Sequence, residues 1–237
     1  IRYINSLYLY IMKLSVKNTM WFSLLVQIIT GILSLHGLFI ILPEKDSILT
    51  DILGLETMVQ FVEMVFYIWI SYAMINVDKM TSRRYIDWVI TTPTMLLSTI
   101  IFMKYQEEKE KKGDKVDFWG FMEENKKDIL LMFSYNFGML AFGFLGEVNI
   151  ISKYISTPIG FYFFYKTFDL IYYKFADATQ LGKNLFTFMV SVWSLYGVAA
   201  LMPADIKNIS YNLLDIVAKN FYGLYLYYKI LQVSRGF

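Results

Sequence analysis

Long apolar windows alternate with short polar connections along this chain, and the windows fall at roughly 18–42, 51–77, 81–104, 127–149, 152–174, 183–203 and 207–232. A helix needs about 20 mostly apolar residues to cross a bilayer's hydrocarbon core, and window hydropathy marks each segment as such a span. The predicted fold class is all-α, a seven-transmembrane-helix bundle, with residues 1–237 forming a single domain. The leader, residues 1–17, begins IRYINSLYLYIMKL and mixes Tyr, Ile and Leu with Arg2 and Lys13. It reads as a short N-terminal interfacial segment, either frayed or a helix lying on the membrane face. Residues 1–14 lack the pattern of a cleaved secretory signal.

The connections carry the expected stop signals. ILPEKDSILTD, after the first span, combines a proline with clustered charge. Residues 104–128 are the longest polar stretch and read as a cytoplasmic loop between helices 3 and 4. That loop contains a solvated extension of helix 3, a turn at Gly113–Asp114 and an interfacial Phe118–Trp119 pair.

Composition agrees with the pattern. Hydrophobic residues make up 57% of the chain and charged residues 18%, against about 45–50% and about 25% in soluble domains. A net charge of +2 supplies no field for gathering nucleic acid. The lack of cysteine excludes disulfides, thiolate metal sites and cysteine nucleophiles, and the lone histidine, His36, argues against a histidine-based metal site. Nothing points to an enzyme. Lys104, Lys109, Lys111, Lys112, Lys115, Lys126 and Lys127 bias one face of the bundle, joined by Lys45, Lys174, Lys183, Lys229 and Arg235. The positive-inside rule then predicts an integral, multi-pass membrane protein with its N-terminus outside and its C-terminus in the cytoplasm.

The informative residues are the ionisable ones inside apolar spans, each costing about 2.5–3.5 kcal/mol at a helix centre on insertion scales. Asp215 and Lys219 are four apart in the last span and share a helical face. In the third span Arg84, Asp87, Thr91 and Ser98 trace one stripe. If the stripes face each other, two bases oppose two acids, either as a structural ion cluster or as a functional site. Trp88, Trp193 and Tyr196, with Met95 and Met139, can wall a long, flat, apolar ligand, although the same residues also suit core packing. In the second span Glu56 and Glu63 lie seven apart on one face with Gln60 between them. They read either as carboxyls lining a cation path or as hydrogen-bonded structural groups.

At RYIDWVITTP and DIVAKN the chain resembles the microbial rhodopsins across all seven spans. The combination of the third-span motif with DxxxK in the seventh is specific; either alone is weaker. MLAFGFLG, IST at 155–157 and WSLY at 193–196 extend the likeness. The resemblance implies all-trans retinal bound as a Schiff base on Lys219, with Asp87 as counterion and proton acceptor, assisted by Asp215. It makes Arg84 an outward charge gate. It assigns Trp88, Thr92, Met95, Met139, Gly143, Ser156, Thr157, Trp193 and Tyr196 to the retinal pocket. Gly197 and Ala200 stand where many pumps carry proline and tryptophan.

The triplet Asp87–Thr91–Ser98 ends in a hydroxyl where efficient proton pumps place a carboxylate. A serine cannot store a proton at neutral pH, which disfavours a fast outward pump. Asn220, directly after Lys219, resembles the Lys-Asn pair of channelrhodopsins, and the serine triplet resembles the rhodopsins of large algal viruses. The function expected is therefore a light-gated channel for monovalent cations or protons, in a host cell membrane if the source is viral. Light would break Glu63–Asn220 and Arg84–Asp87 contacts and open a polar path near helices 1, 2, 3 and 7, within reach of Ser34 and His36. A slow proton pump, a sensor acting through a partner and a retinal-free receptor remain open. The lipid bilayer is the expected surrounding and a homo-oligomer is possible; no nucleic-acid partner is expected.

Overall fold

In a computed structural model, backbone is described for residues 2–72 and 79–236, and side chains from residue 15 onward within those ranges. Helices α1 (Arg2–Leu38), α2 (Ile48–Tyr72), α3 (Met80–Lys111) and α5 (Lys126–Glu147) form four long rods, with the short α4 (Phe118–Glu124) between the last two. Two more rods are α6 (Lys153–Ile171), continued by a π-turn at Tyr172–Ala176, and α7 (Gln180–Ala199). The seventh comprises α8 (Ala204–Asp215), a π-turn at Ile216–Asn220 and α9 (Phe221–Ser234). The described residues thus form an all-helical bundle of seven rods.

The rods alternate in direction, so the bundle has two ends. Ser15, Met80 and Ala204 lie at one and Leu38, Ile48 and Lys111 at the other; these are called the Ser15 end and the Leu38 end. Helices α3 and α8–α9 run the same way. By length and composition, four helical segments among the described residues are suited to cross a membrane: Ser15–Leu38, Glu44–Tyr72, Met80–Lys111 and Lys126–Glu147. The α6 and α7 rods carry tyrosines and lysines that dilute their apolar windows, and the seventh rod is divided at its π-turn.

The helix bounds correct several expectations. Residues 2–17 are not a separate leader: α1 is continuous from Arg2. Of the second span expected at 51–77, residues 73–78 lie outside the described ones, and the helix begins earlier, at Ile48. The stretch 104–128 is largely helical. The third rod continues to Lys111 and stops where Lys112 takes a left-handed conformation (φ 53°). Gly113 N–H then donates to Glu108 O at 2.8 Å, satisfying a terminal carbonyl. Helix α4 restarts at Asp117, whose carboxylate accepts from Gly120 N–H at 2.7 Å. The solvated extension of helix 3 and the turn near Gly113 are as expected, and the mixed charge supports the extension, since Lys104 pairs with Glu108 (2.6 Å) and Lys111 with Glu107 along the helix face. Helix α4 was not expected.

The core fills the centre around α3, whose Met95, Leu96, Ile100, Ile101 and Phe102 are buried. Phe22, Phe61, Phe137 and Tyr162, in contrast, face outward, more than half exposed. Apolar residues on the outside and ion pairs inside are the pattern of a bundle dissolved in lipid.

Candidate functional site

At mid-depth, a fully buried lysine is held among three carboxyls. Lys219 Nζ lies 2.8 Å from Asp87 Oδ2, 3.3 Å from Glu63 Oε1 and 3.7 Å from Asp215 Oδ1. At an effective dielectric near 20, a unit pair at the shortest of these separations attracts by about 6 kcal/mol, which offsets much of the cost of burying charge. Arg84 completes the set from the Ser15 side. Its Nη1 donates to Asp215 Oδ2 at 2.9 Å and to Tyr67 OH at 3.2 Å, and its Nη2 donates to Asn212 Oδ1. Tyr67 and Tyr196 hydroxyls also donate to Asp215, at 2.7 and 2.8 Å. Asn212 passes the network to α1 by donating to Thr19 Oγ1 at 2.9 Å. The rings of Phe66, Tyr67 and Tyr211 lie 5.4–5.8 Å from the guanidinium carbon.

The pairing follows from the parallel course of α3 and the seventh rod. Arg84 precedes Asp87 by three residues and Asp215 precedes Lys219 by four, so the two steps stand side by side with opposite signs crosswise. Lys219 meets Asp87 and Arg84 meets Asp215. The expected Arg84–Asp87 contact is thereby corrected. Helical side chains lean toward their own N-terminus, which carries the long guanidinium away from Asp87 toward Asn212.

A second expectation is also corrected: Glu63 contacts Lys219, and Asn220 faces elsewhere. Asn220 accepts from Thr30 Oγ1 on α1, and its amide reaches Asp215 O at 3.5 Å. Consecutive helical residues point about 100° apart, so an Asn after a lysine aimed at α2 and α3 turns toward α1. Thr91 bonds the Asp87 backbone carbonyl at 3.0 Å. Ser98 donates to Glu56 across the α2–α3 interface, so the hydroxyl that ends the triplet has a carboxyl beside it. His36, on the rim, lies 3.0 Å from Tyr227 OH, and Ser34 is fully buried.

Lys219 also ends a mainly apolar cavity between α3, α5, α6, α7 and the seventh rod. Trp88, Thr92, Met95, Met139, Gly143, Ser156, Thr157, Trp193 and Tyr196 all line it. Asn136 fixes Thr92 by donating to its Oγ1 at 2.8 Å. Two walls are shaped by missing side chains: a Cβ on Gly143 would sit 2.7 Å from Tyr85 OH, and one on Gly197 2.4 Å from Phe161 Cζ. A mainly apolar, aromatic-walled space is typical of ligand sites, and one that ends on an amine set among carboxyls fits retinal. Tyr85, Phe161, Phe164 and Tyr211 line it too and were missed. Tyr211 was findable, being four residues before Asp215. So was Tyr67, four after Glu63; the two phenylalanines had no signal beyond apolarity.

Comparison with known proteins agrees with this geometry. The family profile described as bacteriorhodopsin-like protein matches residues 18–233. A solved viral rhodopsin, OLPVRII, is 27% identical with a TM-score of 0.78, the match covering 92% of this chain and 98% of that one. The blue light-absorbing proteorhodopsin from Med12 is 18% identical (TM-score 0.71), with 92% and 97% covered. The bromide-bound halorhodopsin of Halobacterium salinarum is 14% identical (TM-score 0.71), with 97% of both chains covered. At those last two identities the likeness is one of fold. No curated protein matches the sequence.

Proposed function

The chain belongs to the bacteriorhodopsin-like protein family, and from that membership we propose that it is a retinal-binding photoreceptor acting as a light-gated cation channel. It is a multi-pass membrane protein, and the lysine-rich Leu38 end is read as cytoplasmic. The observation carrying the chromophore assignment is the Lys219 amine at the end of an aromatic cavity, 2.8 Å from Asp87. Held covalently through Lys219, retinal would supply light absorption and a photoisomerisation that displaces the positive charge.

The residues do the rest. Asp87 balances the lysine charge and is the nearest proton acceptor; Asp215 is held by Arg84, Tyr67 and Tyr196 and steadies the pair. With three acids facing two bases, the cluster is balanced when it keeps one proton, which leaves a displaced proton alternative acceptors. Trp88 and Trp193 line the cavity, where they would flank the polyene and exclude water. The channel reading is supported by a seam of buried polar residues from the lysine toward the Leu38 end: Gln27, Thr30 and Ser34 on α1, Glu56 and Gln60 on α2, and Asn220. Acidic and amide groups lining a hydrated path favour cations. Voltage-clamp of cells expressing the chain tests this reading: a photocurrent reversing with voltage and cation gradient is expected, and one that keeps its sign overturns the channel.

One observation favours a second reading, a slow outward proton pump. Ser98 was read as depriving the imine of an internal donor, yet Ser98 donates to Glu56, which puts a buried carboxyl at that depth from α2 instead of α3. Under this reading Glu56→Gln slows recovery of the dark absorbance after a flash, and added azide restores it. Under the channel reading the substitution alters reversal potential or conductance.

A further inference from the structure

Gln60 stands between Glu63 and Glu56 on α2, about one helical turn from each, and is 1% exposed. Neither its amide nitrogen nor its amide oxygen has a hydrogen-bond partner among the described residues. The side chain is pressed against the seventh rod, where a Cβ built on Gly223 would sit 2.1 Å from Gln60 Nε2 and 3.8 Å from Ser34 Oγ. Side-chain carbons essentially never approach within 3.0 Å, so the carboxamide can occupy this spot only because residue 223 has no side chain. The hydroxyl of Ser34 and the amide oxygen of Gln27, on α1, are equally buried and without partners among the described residues. Buried polar groups in native proteins are overwhelmingly paired, and a polar site of this kind is satisfied by water when there is room for it.

Gly223 is also tied to the lysine. Asp215, Lys219 and Gly223 are spaced four apart and share one face of the seventh rod. The π-turn Ile216–Asn220 contains Lys219 and hands over directly to α9, with Phe221 N–H bonded to Ile216 O. Such turns are places where a helix can change its winding, so a displacement of Lys219 is passed to Gly223 as a movement of the start of α9.

We propose that Gln60 is a latch: its carboxamide, closed against the Gly223 α-carbon, separates Glu63 from Glu56 in the dark. Movement of Lys219 shifts Gly223, releases the carboxamide and lets water join the two carboxyls, carrying protons or monovalent cations. The latch rests on the transport reading above and adds the residue that controls it. Gln60 acts by position and takes no part in bond making.

The test uses the full chain with all-trans retinal as wild type, Gly223→Ala, Gln60→Ala and the double variant. Two readouts are followed: melting of helical circular dichroism in the dark, and recovery of the dark absorbance after a flash. Gly223→Ala is expected to lower the melting temperature, and the double variant to regain most of the loss because the new methyl occupies vacated space. Each single variant is expected to change the recovery rate about fivefold, with clear non-additivity in the double variant, as for residues in contact. Additive rates overturn the latch. Unchanged recovery in Gln60→Ala overturns it too, whether or not Gly223→Ala folds. A wild-type chain that takes up no retinal instead overturns the function on which the latch depends, so the two failures are told apart.

Discussion

The two halves of the bundle interior are built on opposite principles. Toward the Ser15 end, Arg84, Asp215, Tyr67, Tyr196, Asn212 and Thr19 interlock through hydrogen bonds that join α1, α2, α3, α7 and the seventh rod. Lys207 and Glu147 add a buried bidentate pair at 2.7 Å between α8 and α5. Toward the Leu38 end the buried polar groups are as numerous, but Gln27, Ser34, Glu56 and Gln60 each keep at least one atom without a partner among the described residues. In the Ser15-end network only Arg84 Nε lacks a partner among the described residues, and so nearly saturated a network is held shut, because opening it exposes several charged groups at once. An unsaturated seam is already poised for water. The asymmetry suits the function proposed above, in which a displacement at the centre is passed toward one side only.

Substitutions can break or sharpen this contrast. Arg84→Ala should have the largest effect, because it strands a buried Asp215; losing one partner of a buried pair costs about 3–5 kcal/mol. Unfolding of the purified chain in denaturant would measure it, and a loss below about 1 kcal/mol would show the Ser15-end network to be slack. Tyr67→Phe removes the hydroxyl that donates to Asp215 and accepts from Arg84 and should cost about 1.5–3 kcal/mol by the same measurement. Gln60→Met keeps length while removing an unpaired amide, so stability should stay within about 1 kcal/mol of wild type or rise. If it fell further than Tyr67→Phe, the halves would not differ as described. Ser34→Ala should change stability least, within about 0.5 kcal/mol. Amide exchange should meanwhile run faster along α9 near Gly223 than along α8 near Asn212.

Much of the fold was legible because lipid imposes a simple rule. Apolar windows long enough to span gave seven rods, and the structure differs chiefly at their ends, where α3 runs on to Lys111 and α1 starts at Arg2. The extension of α3 beyond the apolar window was legible from its mixed charge, whereas the continuity of α1 through residues 2–17 was not, because a frayed or interfacial segment of Tyr, Ile and Leu reads the same way by hydropathy. The residues expected around Lys219 were legible from spacing and resemblance, and they line one cavity or one ion cluster. Their pairing was legible only in part: the resemblance placed Asp87 and Asp215 at Lys219, but not the remaining contacts. Arg84 beside Asp87 in sequence suggested a bond that the lean of helical side chains prevents, and Asn220 beside Lys219 suggested a shared partner that a 100° rotation denies it.

Periodicity along a single helix fixes which residues share a face, so the sequence by itself determined the rods, the buried charges and the lysine at their centre. Which acid meets Arg84, the arrival of Glu63 at Lys219 and of Glu56 at Ser98, and the fit of Gln60 against Gly223 were decided only by the tertiary structure. Those contacts depend on the relative rotation and height of neighbouring helices, quantities set by packing between segments far apart in the chain.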